Sequence, residues 1–377
     1  SVSAARRLID TPFVRRDLRA AAVPWVVGRA LVVGALGVAR YGFGELTGAE
    51  RPVQLSQGLF AWDAAFYRDI AEHGYGAMRE AVRFFPLVPL LARWLGIVLA
   101  GNEALALLLI ANGSALVFGA LLHRLTLRET GDARLAVRAA WFAAVFPPAM
   151  VLVVGYAEAT FLALSVVMFL ALRARGAAWA VPAGFLAGLT RPAGVLLAVP
   201  AAVEAITRRR TSSPRERLVR LGTVVAPVLG TGVYLAWVER EFGDFWLPFR
   251  LQDDPSRRGG FANPVARVFE GLGDLVGGDR FGSGLHVVWA ALFVVLVVVL
   301  ARRLPASYTA YAAVTLLFAL AAENLDSFER YATSAFPLLL AVAMLTRRED
   351  VERPALVLAG AGLVGYATLA FIGRHVP

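Results

Sequence analysis

The sequence predicts an all-α fold, that of a polytopic helical membrane protein, and three observations carry the reading. The chain of 377 residues is 58% hydrophobic and 18% charged, with a mean hydropathy of +0.63, which is more apolar surface than one soluble core buries. Apolar runs of roughly 17 to 22 residues recur along it, the length that crosses about 30 Å of hydrocarbon as a helix. The 38 basic residues are all arginine, and they fall mostly between those runs. With no cysteine, disulfides and thiolate metal sites are excluded. The pI near 10.7 goes with an Arg/Ala/Gly/Val-rich composition rather than with nucleic-acid binding.

The first residues carry Arg6, Arg7, Arg15, Arg16 and Arg19 without a continuous apolar core, so no cleavable signal peptide is expected. The positive-inside rule places that basic tail in the cytoplasm, and a first span at 23–43 then ends outside. Residues 44–103 form a first external loop. Its part from 44 to 83 is too polar to span. Within it, 63–73 reads as an interfacial helix, with Trp62, Phe66, Ile70 and His73 on one side and an Arg68–Glu72 pair on the other. The segment 84–100 is apolar but holds Pro86, Pro89 and Arg93, and is expected to be interfacial or re-entrant. As a full span it would put Arg124, Arg128 and Arg134 outside, against the charge bias.

Further spans are expected at 104–122, 136–154, 158–172, 177–190, 193–206, 219–238, 285–301, 305–322, 331–346 and 355–372, about eleven with the first. A break is expected at Pro147-Pro148, and 239–284 forms a second external loop. The short spans flanking Arg191 predict helices broken beside a cavity. In this register arginines outnumber acids on the cytoplasmic segments, including Arg173 and Arg175, and acids outnumber arginines outside; Arg29 and Glu204 lie within spans. No internal repeat of the inverted-transporter kind is apparent, so residues 1–377 read as one transmembrane domain.

This topology gathers polar residues at the outer face: Asp63, then Tyr156 and Glu158 in GYAEATF, Arg191 in LTRPAG, and Glu329, Arg330 and Tyr331 in DSFERYATSAFP. Ionisable groups at membrane depth are costly and face a protein interior or a wet cavity. Carboxylates and arginines at one level suit an anionic, polar-headed ligand. Each residue also has a purely structural alternative. Asp63 would cap its own helix, Glu158 would favour a helix N-terminus, the arginines would snorkel or pair, and His73 would pack. Four histidines without an HxH or HExxH pattern predict no metal site, with an Asp/Glu-bound Mg²⁺ or Mn²⁺ as the alternative. No nucleotide-binding glycine motif or GxSxG occurs, so no cofactor is expected.

Taken in order, LFAWDAAFYRDIAEHGY, RFFPLVPLLARWLG, the stretch from FPPAMVLVVGYAEATF to GLTRPAGVLL, and FERYATSAFPLLLA resemble the PIG-V-type mannosyltransferases, the family of GPI mannosyltransferase II and its prokaryotic relatives. The resemblance runs from about residue 55 to 345 and rests on order and spacing. It implies a GT-C glycosyltransferase fold in the prokaryotic cytoplasmic membrane, with its active site on the extracytoplasmic face. The implied reaction moves mannose from polyprenyl-phosphate-mannose to a hydroxyl of a lipid-linked or cell-surface glycan, inverting the anomeric centre. It makes Asp63 the general base. Within that chemistry Arg191, Arg330 and Tyr331 are the candidates for the donor phosphate, and Trp62, Tyr67, His73, Tyr156 and Glu158 for sugar or acceptor. The implied partners are the polyprenyl-phosphate sugar, the glycan acceptor and membrane lipids, with no nucleic acid. Ala157 departs from the family, which commonly has a small hydroxyl residue there. The alternatives are transfer of another lipid-linked sugar, glucose or arabinose, and a lipid transporter without chemistry.

Overall fold

The computed structural model describes residues 15–46, 50–174, 178–277 and 283–377; the expected cytoplasmic Arg6, Arg7 and Arg175 lie outside the described residues. Regular structure among the described residues is helical, apart from one isolated antiparallel bridge between Phe261 and Ala322. Five helices are long and apolar enough to cross a membrane: Arg16–Gly44, Glu103–Thr130, Pro214–Phe242, Gly284–Arg303 and Glu349–Phe371. At 1.5 Å per residue even the 20-residue member reaches about 30 Å. Val33, Leu109, Leu229, Val294 and Leu358 on these helices are half or more exposed, a surface suited to acyl chains rather than water. The protein is an all-α helical membrane protein.

The other expected spans are shorter or interrupted, and prolines account for most of the interruptions. The run 136–154 becomes a helix, Ala133–Val145, and a 3₁₀ turn, Pro147–Leu152, because Phe146 is extended ahead of two prolines. The run 193–206 divides into Pro192–Leu197 and Ala198–Thr207, and 331–346 into Phe328–Thr333 and Pro337–Leu345. The run 177–190 yields only Ala180–Gly188. Glu158–Arg173 and Ala306–Leu320 are continuous. Leu87–Val98 has 12 residues, about 18 Å, and so falls short of the hydrocarbon thickness.

Two compact units divide the chain: the described residues of Ser1–Glu72, Val88–Leu170 and Val342–Pro377, and those of His73–Leu87 and Ala171–Ala341. In the first, the helix Arg16–Tyr41 packs on Glu103–Thr130, Ala133–Val145 and Glu349–Phe371. Its intramembrane arginine has a definite task. Arg29 Nη2 donates to the Leu152 carbonyl at 2.7 Å and its Nε to Asn112 Oδ1 at 2.9 Å, while Asn112 Nδ2 donates to the Val153 carbonyl at 2.9 Å. Those carbonyls are freed by the proline break; left bare in an apolar interior each would cost about 1–3 kcal/mol. Asp17, 4% exposed, accepts from His123 at 2.7 Å and from Arg124 at 3.0 Å, and Arg138 pairs with Glu352.

In the second unit Pro214–Phe242 packs on Ala180–Gly188 and Ala198–Thr207 at close range. A Cβ on Gly230 would lie 2.1 Å from the Phe185 carbonyl oxygen, and one on Gly188 2.2 Å from that of Pro227, so only glycine permits this approach. The carbonyl freed at the end of the short helix, on Gly188, accepts the Thr231 hydroxyl at 3.1 Å. Glu204 is buried against Arg173 (3.1 Å), Arg208 (2.9 Å) and the Ser307 hydroxyl (2.8 Å).

The helix Asp63–His73 forms where the sequence places it, with the Arg68–Glu72 pair at 3.6 Å. Ala64, Tyr67, Ile70 and Ala71 are buried, whereas Trp62 and Phe66 are half-buried and His73 is exposed. The small side chains of Ala64 and Ala71 let the helix approach its neighbours closely.

Candidate active site

One group of residues is built at the start of the Asp63–His73 helix. Trp62 has a left-handed backbone (φ 59°), a conformation that costs a bulky residue about 1–2 kcal/mol. Its indole Nε1 donates to the Ala370 carbonyl at 3.0 Å, which holds the turn. Asp63 is the first helical residue, and Trp62, not Asp63, occupies the turn before it, so the structural alternative in which Asp63 caps its own helix does not describe it. A negative charge is favoured at this end of a helix. The Asp63 N–H donates to Tyr156 Oη at 3.2 Å across 93 positions of sequence. The proline break makes that meeting possible, because the chain after it runs beside the Gly58–Phe60 turn and the Gly155 N–H donates to the Leu59 carbonyl at 3.2 Å. Tyr156 and Glu158 are buried, Glu158 as the first residue of its helix, and Tyr67 is buried one turn beyond Asp63. Ala157 is fully buried.

A second group lies in the other unit. Thr190 closes the Ala180–Gly188 helix by donating to the Ala187 carbonyl at 2.6 Å, and Arg191 is extended (φ −159°, ψ 153°), as the residue before a proline tends to be. Buried there, Arg191 Nη1 donates to Ser334 Oγ at 3.0 Å. Arg330, also buried, donates from Nη2 to Tyr331 Oη at 3.2 Å. The sequence-predicted Arg191, Arg330 and Tyr331 are thus neighbours. A third cation joins them. Arg258 lies over the Tyr331 ring at 4.6 Å from its centroid, with Arg330 at 5.0 Å and Arg191 at 5.7 Å. Glu329, expected with them, is instead held by His286 Nδ1 at 2.7 Å.

Sequence reasoning missed Arg258. Its Nη2 donates to the Phe318 carbonyl at 2.8 Å, and it forms no ion pair among the described residues. Burial pushes Arg258 below the ordinary arginine range; Tyr331 acts against this shift, and the charges of Arg191 and Arg330 add to it. The loop carrying it is fastened to residues 321–324. Asn324 N–H donates to the Arg258 carbonyl at 2.9 Å, Glu323 N–H to the Gly260 carbonyl at 3.2 Å, and Gly260 N–H to Glu323 Oε2 at 3.1 Å. The one local signal was the run Arg257-Arg258-Gly259-Gly260, where Gly259 takes a left-handed backbone (φ 67°). Guanidinium groups gathered about one phenol offer several N–H donors to an anionic oxygen ligand. No group of acids and histidines able to hold a metal occurs among the described residues.

No protein-family model and no curated protein matches the chain. Among solved structures it is similar to the archaeal oligosaccharyltransferase AglB of Archaeoglobus fulgidus in complex with an inhibitory peptide and a dolichol-phosphate, at 13% identity and a TM-score of 0.43, covering 96% of this chain and 56% of that one. An oligosaccharyltransferase structure from the same organism, with Zn and sulfate, gives 16% identity and a TM-score of 0.41, covering 91% and 52%. The apo form gives 13% and 0.37, covering 92% and 56%. The chain thus spans about half the length of these neighbours.

Proposed function

We propose that the protein is an inverting GT-C glycosyltransferase that moves mannose from a polyprenyl-phosphate-mannose donor to a hydroxyl of a lipid-linked or cell-surface glycan, on the extracytoplasmic face of the cytoplasmic membrane. The observation that carries this is the grouping of Arg191, Arg258 and Arg330 about Tyr331, an anion site in a chain whose helices suit lipid. The resemblance of its motifs to the PIG-V-type enzymes supplies the sugar and the reaction class. Arg191, Arg330 and Tyr331 bind the donor phosphate. Asp63, at a helix N-terminus and beside Tyr156, is the general base. Tyr156 and Glu158, with Trp62, Tyr67 and His73, are assigned to sugar and acceptor hydroxyls.

In the reaction the acceptor oxygen attacks C1 of the mannosyl group as its proton passes to the Asp63 carboxylate. The C1–O bond to phosphate breaks in line, which inverts C1, and the electron pair stays on the phosphate oxygen, where arginine N–H groups stabilise it. The test is transfer of labelled mannose from polyprenyl-phosphate-mannose into a membrane extract by the purified protein. Asp63→Asn should lower transfer by about 10²–10⁴-fold while donor binding persists. Undiminished transfer would remove Asp63 as base. Transfer from a glucosyl or arabinosyl lipid alone would replace mannose, and lipid translocation without any transfer would overturn the enzyme reading.

A further inference from the structure

The phosphate of a polyprenyl-phosphate sugar is a diester with a single negative charge, and Arg258 brings a third guanidinium to Tyr331. Arg191 precedes the short helix Pro192–Leu197, Arg330 lies within Phe328–Thr333, and Arg258 is brought to them by a separate device, the bridge between residues 258–262 and 321–324. The guanidinium of Arg258 is sandwiched between aromatic rings, 4.5 Å from the Phe318 centroid and 4.6 Å from that of Tyr331, so it is held in one place before any ligand arrives. A guanidinium fixed there attracts an anion of two charges more strongly than a monoanion.

The proposed transfer creates such an anion. When the C1–O bond breaks, the electron pair converts the phosphodiester monoanion into a phosphomonoester dianion, while the acceptor's proton goes to Asp63. Resting on the donor reading above, we infer that Arg258 is a specificity-determining residue that makes the arginine cluster select the leaving phosphomonoester over the donor phosphodiester. Binding of that kind strengthens as the reaction proceeds, which is the condition for lowering its barrier. It also makes the polyprenyl phosphate product a tight inhibitor.

The experiment compares two probes on the full chain in lipid nanodiscs: farnesyl phosphate, a monoester, and methyl farnesyl phosphate, its diester. At about pH 8 the monoester is largely dianionic. The wild type should bind the monoester about 10-fold or more tightly than the diester. In Arg258→Gln the ratio should fall to within about threefold. Equal binding of the two probes by wild type, which needs no variant to fold, overturns the inference and leaves the donor reading standing. So does a preference that survives in Arg258→Gln. Binding of neither probe by wild type overturns both.

Discussion

The bridge that carries Arg258 can be loosened by a single methyl group. Gly259 has φ 67°, and a Cβ there would lie 2.6 Å from Glu323 Oε2 and 2.7 Å from Glu323 Cβ. In Gly259→Ala the left-handed backbone costs about 1–2 kcal/mol, partly offset by roughly 0.4–1 kcal/mol from a stiffer unfolded chain. The carboxylate end of Glu323 can swing away, but its Cβ is fixed to the backbone, so the two segments must part. Parting them removes the Gly260 N–H bond to Glu323 Oε2, worth about 1 kcal/mol net. The sum is about 2 kcal/mol against the arrangement that positions Arg258, or about 30-fold in affinity for a phosphate it contacts. Titration of the nanodisc-embedded variant with farnesyl phosphate checks the value, with a thermal melt to establish folding. Adding Glu323→Gly should recover part of the loss, because it removes the Cβ that the new methyl group meets. An affinity within twofold of wild type in a folded Gly259→Ala protein would refute the claim that this bridge sets Arg258.

Other expectations follow from the same geometry. Arg330→Ala should weaken donor binding by about 10-fold or more and acceptor binding little, read from the separate KM values; the reverse pattern would reassign Arg330 to the acceptor. Gly230→Ala puts a methyl carbon 2.1 Å from the Phe185 carbonyl oxygen, so the two helices must separate, at a cost of about 1–3 kcal/mol seen as a lower Tm in detergent. An unchanged Tm would mean that the helices do not meet there. Glu204→Gln leaves Arg173 and Arg208 without their shared carboxylate and should destabilise by about 3–5 kcal/mol, whereas Glu216→Gln at the exposed start of Pro214–Phe242 should change the melt by far less.

What the sequence discloses depends on how local its cause is. Continuous apolar runs such as 104–122 and 355–372 are legible because lipid demands them residue by residue. The breaks are half legible. Pro147-Pro148 announces one, but the feature that makes it tolerable, Arg29 and Asn112 reaching the Leu152 and Val153 carbonyls, comes from distant helices and leaves no local mark. Arg29 accordingly reads as a misplaced charge until its partner carbonyl is seen. Which residues of the Asp63–His73 helix pack against the protein is not legible from periodicity, which ranks side chains by hydrophobicity, whereas packing chose Ala64 and Ala71 for their size. Arg191, Arg330 and Tyr331, which the structure brings together, can be singled out in the sequence because charges beside apolar runs stand out. Arg258, in a polar loop, has many neighbours of similar composition, and only the pairing of Phe261 with Ala322 distinguishes it.

The hydrogen bond from Trp62 to Ala370 spans 308 positions. The residue that sets the direction of Asp63 is therefore held by a helix made near the end of the described chain. During synthesis the loop bearing Asp63 emerges well before Glu349–Phe371, so the turn at Trp62 gains its tether only after that helix has entered the membrane and packed beside Arg16–Tyr41. Until then the left-handed Trp62 lacks the bond that offsets its strain, and Asp63 lacks a fixed aim. A chain in which Glu349–Phe371 has not yet packed would so carry Asp63 on an untethered turn, and under the proposed function competence for transfer would wait on that one helix rather than accumulate helix by helix.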